Sequence, residues 1–260
     1  MPTLTRAGHT LHYTDVGSGR PLVLIHSFLC STAMWERVSL PGRRITVDLR
    51  GHGQSGPALT PFTLYDLVED VLAVLDHAGV ERATFVGLSI GGMVSMRTAL
   101  THPDRVDGLV LLDTDGGPES RMVSMKYAAM GAVAKRMGVK PLLGQVAALM
   151  FGTTTLKQRP ELVAQWKTIW SQAHVPSVLT FLDALSERDD VLDQLGSLQH
   201  PRHVVVGAQD KALPPERSIK LAAALGVELI QVPDAGHLSV LERPALLQSE
   251  ITGFLDRNPA

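Results

Sequence analysis

Between residues 20 and 113 the chain alternates short, unbroken apolar runs with longer stretches of helical period, and few architectures accommodate that rhythm. Pro21-Leu22-Val23-Leu24-Ile25 has no polar position, as expected of a strand covered on both faces. Arg44-Ile45-Thr46-Val47, Ala83-Thr84-Phe85-Val86 and the run from Val106 to Leu112 repeat the pattern. Between them, residues 63–77 place Leu64, Leu67, Val68, Val71, Leu72 and Leu75 on one helical face and Asp66, Glu69, Asp70 and Asp76 on the other, until Gly79 stops the helix. A second helix is predicted from Gly91 to about Thr101, ended by His102-Pro103. Strands joined by helix-length crossovers lie parallel, with right-handed connections, so the spacing predicts a mostly parallel sheet with helices on both faces.

Before this rhythm begins, Thr10, His12 and Thr14 interleave with Leu11, Tyr13 and Val16, a half-buried strand running to the Gly17-Ser18-Gly19 turn. After it, residues 117–195 carry helical segments rich in methionine (Met122, Met125, Met130, Met137, Met150), with Trp166, Ile169 and Trp170. The strand–helix order resumes with His203-Val204-Val205-Val206, a helix at about 216–225, a strand over 228–232 and a helix over about 243–256. The predicted organisation is therefore an α/β core made of residues 1–116 and 197–260, with 117–196 inserted as a helical cap.

At 260 residues, 45% hydrophobic and 19% charged, the chain has enough apolar mass for one such core. A net charge of -2 offers nothing to a polyanion, which argues against a nucleic-acid partner. The ten histidines show no metal-site spacing, so neither metal nor cofactor is expected. The lone cysteine, Cys30, excludes an intrachain disulfide and reads as a small buried hydrophobe. The N-terminus shows no apolar leader and no apolar run reaches membrane-spanning length, so no membrane association and a cytoplasmic location are expected; oligomeric state is left open.

Gly87-Leu88-Ser89-Ile90-Gly91 fits G-x-S-x-G, and its setting gives the match weight: a buried strand precedes it and a periodic helix follows. A serine there occupies a strained strand-to-helix turn, where flanking glycines admit neighbouring backbone and leave Oγ exposed. Free N–H groups at the helix start favour developing negative charge. Ser89 is the candidate nucleophile.

Here the chain resembles the α/β-hydrolase superfamily over nearly its whole length. LVLIHSFLCSTAMW, VDLRGHGQSG, FVGLSIGGMV and VVVGAQDKALPP match in order, with VPDAGHLSVLERP closing the chain. The resemblance implies an eight-stranded, mainly parallel sheet, a helical cap after the sixth strand, and the chain order nucleophile, acid, histidine. Closer likeness is to small microbial carboxylesterases and 3-oxoadipate enol-lactonases. Where the common pattern has His-Gly, this chain has His26-Ser27, as the enol-lactonases do; a positive φ there would suit serine less than glycine.

His237 follows the strand ending at Val232, and in a parallel sheet its loop shares the edge that carries Ser89, making it the candidate base. The family's acid position falls on Asp210 in GAQDKALPP. Asp113, ending the strand 106–112, competes with it, because some members take the acid from that strand; otherwise Asp113 would cap local backbone N–H groups. The oxyanion hole is assigned to the backbone N–H groups of Ile90 and Phe28, with His26 as a structural member of the loop and His52 in the turn after strand 44–47. His174 lies in the insertion, where it could face substrate. Phe28, Ser27, Trp166 and Trp170 are the substrate-pocket candidates, and Arg136, Lys140 and Arg188 the cap cations that could meet an anionic substrate.

These residues point to hydrolysis of a small-molecule carboxylic ester through an acyl-enzyme. The alternatives are an enol-lactonase-like lactone hydrolase and a non-catalytic ligand receptor on the same fold. Haloalkane dehalogenase and epoxide hydrolase chemistry are disfavoured because both use an aspartate where this chain has Ser89.

Overall fold

A computed structural model of the chain describes residues 2–259. Its eight strands are β1 (Thr3–Arg6), β2 (His9–Val16), β3 (Pro21–Ile25), β4 (Arg43–Asp48), β5 (Ala83–Leu88), β6 (Val106–Leu112), β7 (Arg202–Gly207) and β8 (Leu229–Val232). They form one sheet in the order β1-β2-β4-β3-β5-β6-β7-β8, in which only β2 runs antiparallel to its neighbours. The loops after β3, β5, β6, β7 and β8 therefore leave the sheet at one edge.

Strand residues alternate between two apolar layers. Val23, Ile25, Phe85, Leu109 and Leu111 enter a core shared with α1 (Leu64–His77) and α2 (Ile90–Thr101). Leu22, Leu24, Val86, Val110 and Leu112 enter the opposite one. Helix α1 is closed by a capping box that the sequence carries as Thr63 and Asp66: the Thr63 hydroxyl accepts from the Asp66 N–H, and the Asp66 carboxylate from that of Thr63.

After β6 comes the inserted helical region: α3 (Arg121–Met137), α4 (Leu143–Met150), α5 (Thr153–Gln158), α6 (Pro160–Trp170), α7 (Val175–Ser186) and α8 (Leu192–Leu195). The core then closes with α9 (Pro215–Leu225), α10 (Ser239–Glu242) and α11 (Pro244–Arg257). Among the described residues no helix is long and apolar enough to cross a membrane.

Two elements differ from expectation. Strand β1 is not legible in the sequence: it has only four residues and no buried position, and it exists because Ala7 and Gly8, with φ of 48° and 80°, turn the chain into a hairpin with β2. The helix expected over about 243–256 is α11, and the short α10 before it was not expected; the two are separated at Arg243, which, preceding Pro244, is pushed out of the helical region to φ -133°, ψ 56°.

Candidate active site

Ser89 sits between β5 and α2 with φ 56° and ψ -117°, a conformation that costs a non-glycine residue on the order of 1–3 kcal/mol. Its neighbours enforce it. The Ser89 N–H donates to Leu112 O at 2.9 Å, and its carbonyl accepts the Thr114 hydroxyl at 2.6 Å and the Met93 N–H at 3.0 Å. A Cβ on Gly91 would lie 2.2 Å from Ile25 O, and one on Gly87 would lie 2.3 Å from Gly91. Only glycine permits β3, β5 and α2 to converge so closely.

The loops after β7 and β8 bring Asp210 and His237 together, both buried, with Asp210 Oδ2 2.8 Å from His237 Nδ1. A carboxylate can only accept, so Nδ1 carries the proton and Nε2 is left to act on substrate. Asp210 Oδ1 accepts the N–H groups of Ala212 and Leu213, each at 2.9 Å, which fixes the carboxylate. Burial disfavours the imidazolium, but the Asp210 charge and hydrogen bond, aided by Asp113 and Glu242, hold the His237 pKa above its ordinary value. Ser89 Oγ shares the sheet edge with this pair without a hydrogen bond to it among the described residues; such contacts commonly tighten only around substrate.

Among the described residues no hydrogen bond joins Asp113 to the imidazole. It accepts the Gly207 N–H at 2.7 Å and the Ser239 hydroxyl, so the group it caps is remote, 94 residues away, and not local as the sequence suggested. Burial, then the nearby Asp210 charge, raises its pKa well above the usual carboxylate range.

Ile90 opens α2, where the first amides lack intrahelical acceptors. Phe28 lies in the loop after β3, and its N–H has no acceptor among the described residues. Two buried histidines brace that loop. Leu49 N–H donates to His26 Nε2 at 3.0 Å while His26 Nδ1–H donates to Ser27 O at 2.7 Å; Leu29 N–H donates to His52 Nε2 at 3.1 Å. The positive φ belongs to Leu29, at 61°, and not to Ser27. Ser27 itself is fully buried with its Oγ unpartnered.

An apolar cavity of about 50 Å³ lies between Phe28 and the side chains of Met130, Leu143, Val146, Trp170 and Leu182. A larger groove of about 410 Å³, lined by His52, Gln172 and His174 among others, lies across Leu29, Trp170 and Val178, which border both spaces. Trp170 is a wall residue of both spaces. Trp166 is 2% exposed and packs against Trp170 in the apolar layer. None of the three cap cations borders the cavity beside Phe28. Arg136 and Lys140 are exposed, and Arg188 is buried in ion pairs with Glu119, at 3.0 Å, and Asp115. No group of three or more potential metal ligands occurs among the described residues.

Residues 20–244 match the family model for the alpha/beta hydrolase fold. The chain is 32% identical, over 96% of its length and 68% of the relative's, to the dihydrolipoyllysine-residue acetyltransferase component of the acetoin cleaving system of Pseudomonas putida. It superimposes with a TM-score of 0.91 on a thermophilic esterase from Thermogutta terrifontis, at 27% identity over 99% of this chain and 97% of that one. The same score, at 26% identity over 98% and 100%, relates it to the enol-lactonase from Burkholderia xenovorans LB400. The protein belongs to the alpha/beta hydrolase fold family, among relatives that include microbial esterases and lactonases.

Proposed function

We propose that this protein hydrolyses carboxylic esters of small, neutral, apolar acids through a covalent acyl-enzyme on Ser89. The observation that carries the reading is the buried Asp210–His237 pair at the sheet edge that also holds Ser89 in its strained turn. In this reading His237 Nε2 takes the Ser89 Oγ proton as Oγ bonds to the ester carbonyl carbon. The tetrahedral oxyanion is met by the N–H groups of Phe28 and Ile90. Collapse breaks the bond to the alcohol oxygen, which leaves with the proton from His237. Water, deprotonated by His237, then cleaves the acyl-enzyme and releases the acid. Residues 117–196 act as the cap that encloses the acyl group.

The apolar lining beside Phe28 supports a neutral acyl group, since a carboxylate buried there would lack a partner. A cyclic ester is a second reading supported by the likeness to the enol-lactonase: the same attack opens the ring and no alcohol departs.

The test is covalent labelling followed by substrate comparison. A fluorophosphonate should add once, at Ser89, by intact mass and peptide mapping. Ser89→Ala should abolish labelling and lower kcat about 10⁴–10⁶-fold. A folded wild-type protein that stays unlabelled and inert toward nitrophenyl esters would instead be a ligand receptor. Between size-matched lactones, the neutral one should exceed the carboxylated enol-lactone in kcat/KM by at least about tenfold, or about 1.4 kcal/mol. A preference for the anion would replace the ester reading with the lactonase one.

A further inference from the structure

We propose that His52 is a positioning residue for the oxyanion loop: by accepting the Leu29 amide it holds Leu29 left-handed and keeps the neighbouring Phe28 N–H free for the acyl oxygen. The inference rests on the reading of Ser89 as nucleophile and adds to it a residue that touches neither substrate nor nucleophile.

Leu29 is a poor residue for φ 61°, because an L side chain there crowds its own carbonyl oxygen. Such a conformation persists only where the surroundings over-determine it. The turn is closed by the Cys30 N–H donating to Ser27 O at 3.0 Å, and that bond alone does not choose the hand at Leu29. The bond that depends on the hand is Leu29 N–H to His52 Nε2, at 3.1 Å.

The His52 ring is itself held on three sides. Its Nδ1 lies 3.1 Å from Arg50 O, so Nδ1 bears the proton and Nε2 presents a lone pair. The Phe181 ring packs edge-on at 4.4 Å, and the Phe28 ring at 5.7 Å. Phe28 and Phe181 in turn stack at 5.8 Å. One aromatic cluster therefore grips both the acceptor and the side chain of the residue whose N–H is to be aimed. Burial and the neighbouring His26 push the His52 pKa down to about 3, which keeps the ring neutral and the lone pair available. Because that lone pair is engaged by the amide, His52 is not free to act as a base, although it borders the larger groove.

The test compares His52→Gln, His52→Asn and His52→Leu by nitrophenyl-ester kinetics and by inhibition with an alkyl trifluoromethyl ketone, whose hemiketal adduct with Ser89 Oγ places an oxyanion at the site. Glutamine Oε1 can reach the position of Nε2; asparagine is too short and leucine accepts nothing. Leucine and asparagine should lower kcat about 10–100-fold with KM changed less than about threefold. Inhibitor affinity should fall in parallel with kcat/KM. Glutamine should recover most of both. Circular dichroism selects the folded variants, and if leucine does not fold, the asparagine–glutamine contrast decides. A folded asparagine or leucine variant with wild-type kcat and inhibitor affinity overturns the proposal, as does a folded glutamine variant as damaged as asparagine. Wild-type labelling at Ser89 is measured first, so that a failure of the nucleophile assignment is separated from a failure of this one.

Discussion

Asp113 and Asp210 follow adjacent parallel strands and both are buried, yet only Asp210 meets the imidazole. The difference lies in what each oxygen already holds. Asp210 divides its oxygens between the loop amides and His237, whereas both Asp113 oxygens are spent on Gly207 N–H and Ser239 Oγ. Asp210→Asn should preserve folding and cut kcat/KM roughly 10³–10⁴-fold, because the amide cannot stabilise the imidazolium. Asp113→Asn should cost less than about tenfold, since an amide oxygen still accepts the Gly207 N–H. The Asp113 pKa is raised on folding, so the folded state holds a proton that the unfolded state releases above the ordinary carboxylate range, and this weakens the fold as pH rises. Removing that group should leave the asparagine variant at least as stable as wild type at pH 8. Steady-state kinetics and thermal melts on both variants check these outcomes; a crippled Asp113→Asn with an active Asp210→Asn would move the acid to β6.

At the scale of elements, the inserted helical region is fastened to the loops that carry Asp210 and His237. Gly152, between α4 and α5, donates to Glu242 Oε2 at 2.9 Å, and Gly236, beside His237, donates to Oε1 of the same carboxyl at 2.8 Å. A Cβ on Gly236 would lie 2.2 Å from Gly152 N, so the two segments touch through bare backbone. Gln209, next to Asp210, accepts the Thr154 N–H at 3.0 Å. Glu242→Gln leaves an amide NH₂ facing one of two buried N–H donors and should destabilise the fold by about 1–3 kcal/mol. A lowered urea midpoint with unchanged slope is the expected reading, and an unmoved midpoint would mean that the carboxyl is not the fastening.

For the molecule as a whole, acid sensitivity is set by groups pulling in opposite directions. His26 and His52 have lowered pKa values, so their neutral forms support the fold above about pH 6.5 and that support is lost as pH falls toward the folded values. His237, Asp113 and Glu242 have raised values, support the fold at lower pH, and lose that support as pH rises through them. A difference measurement isolates one term. As pH falls from 7 to 4, wild type should lose melting temperature relative to His52→Gln, which has nothing to titrate at that position. A constant difference across that range would mean that His52 titrates alike in the folded and unfolded chain.

The apolar runs, the helix from Leu64 and the GLSIG turn were legible in the sequence because each is local: periodicity, a cap three residues away, glycine beside serine. His237 was legible because strand direction alone assigns its loop to an edge. Other features depended on the assembled molecule. The carboxyl that meets His237 was settled by donors such as Gly207 N–H, whose link to Asp113 crosses 94 residues. The left-handed residue of the loop after β3 is Leu29 and not Ser27, and the acceptor of its N–H is His52, 23 positions on. Arg188 is withdrawn from the pocket by carboxylates that no spacing in the chain announces. Propensity and period act over a few residues, whereas hydrogen-bond partnership and ion pairing are decided only when distant segments share a buried space.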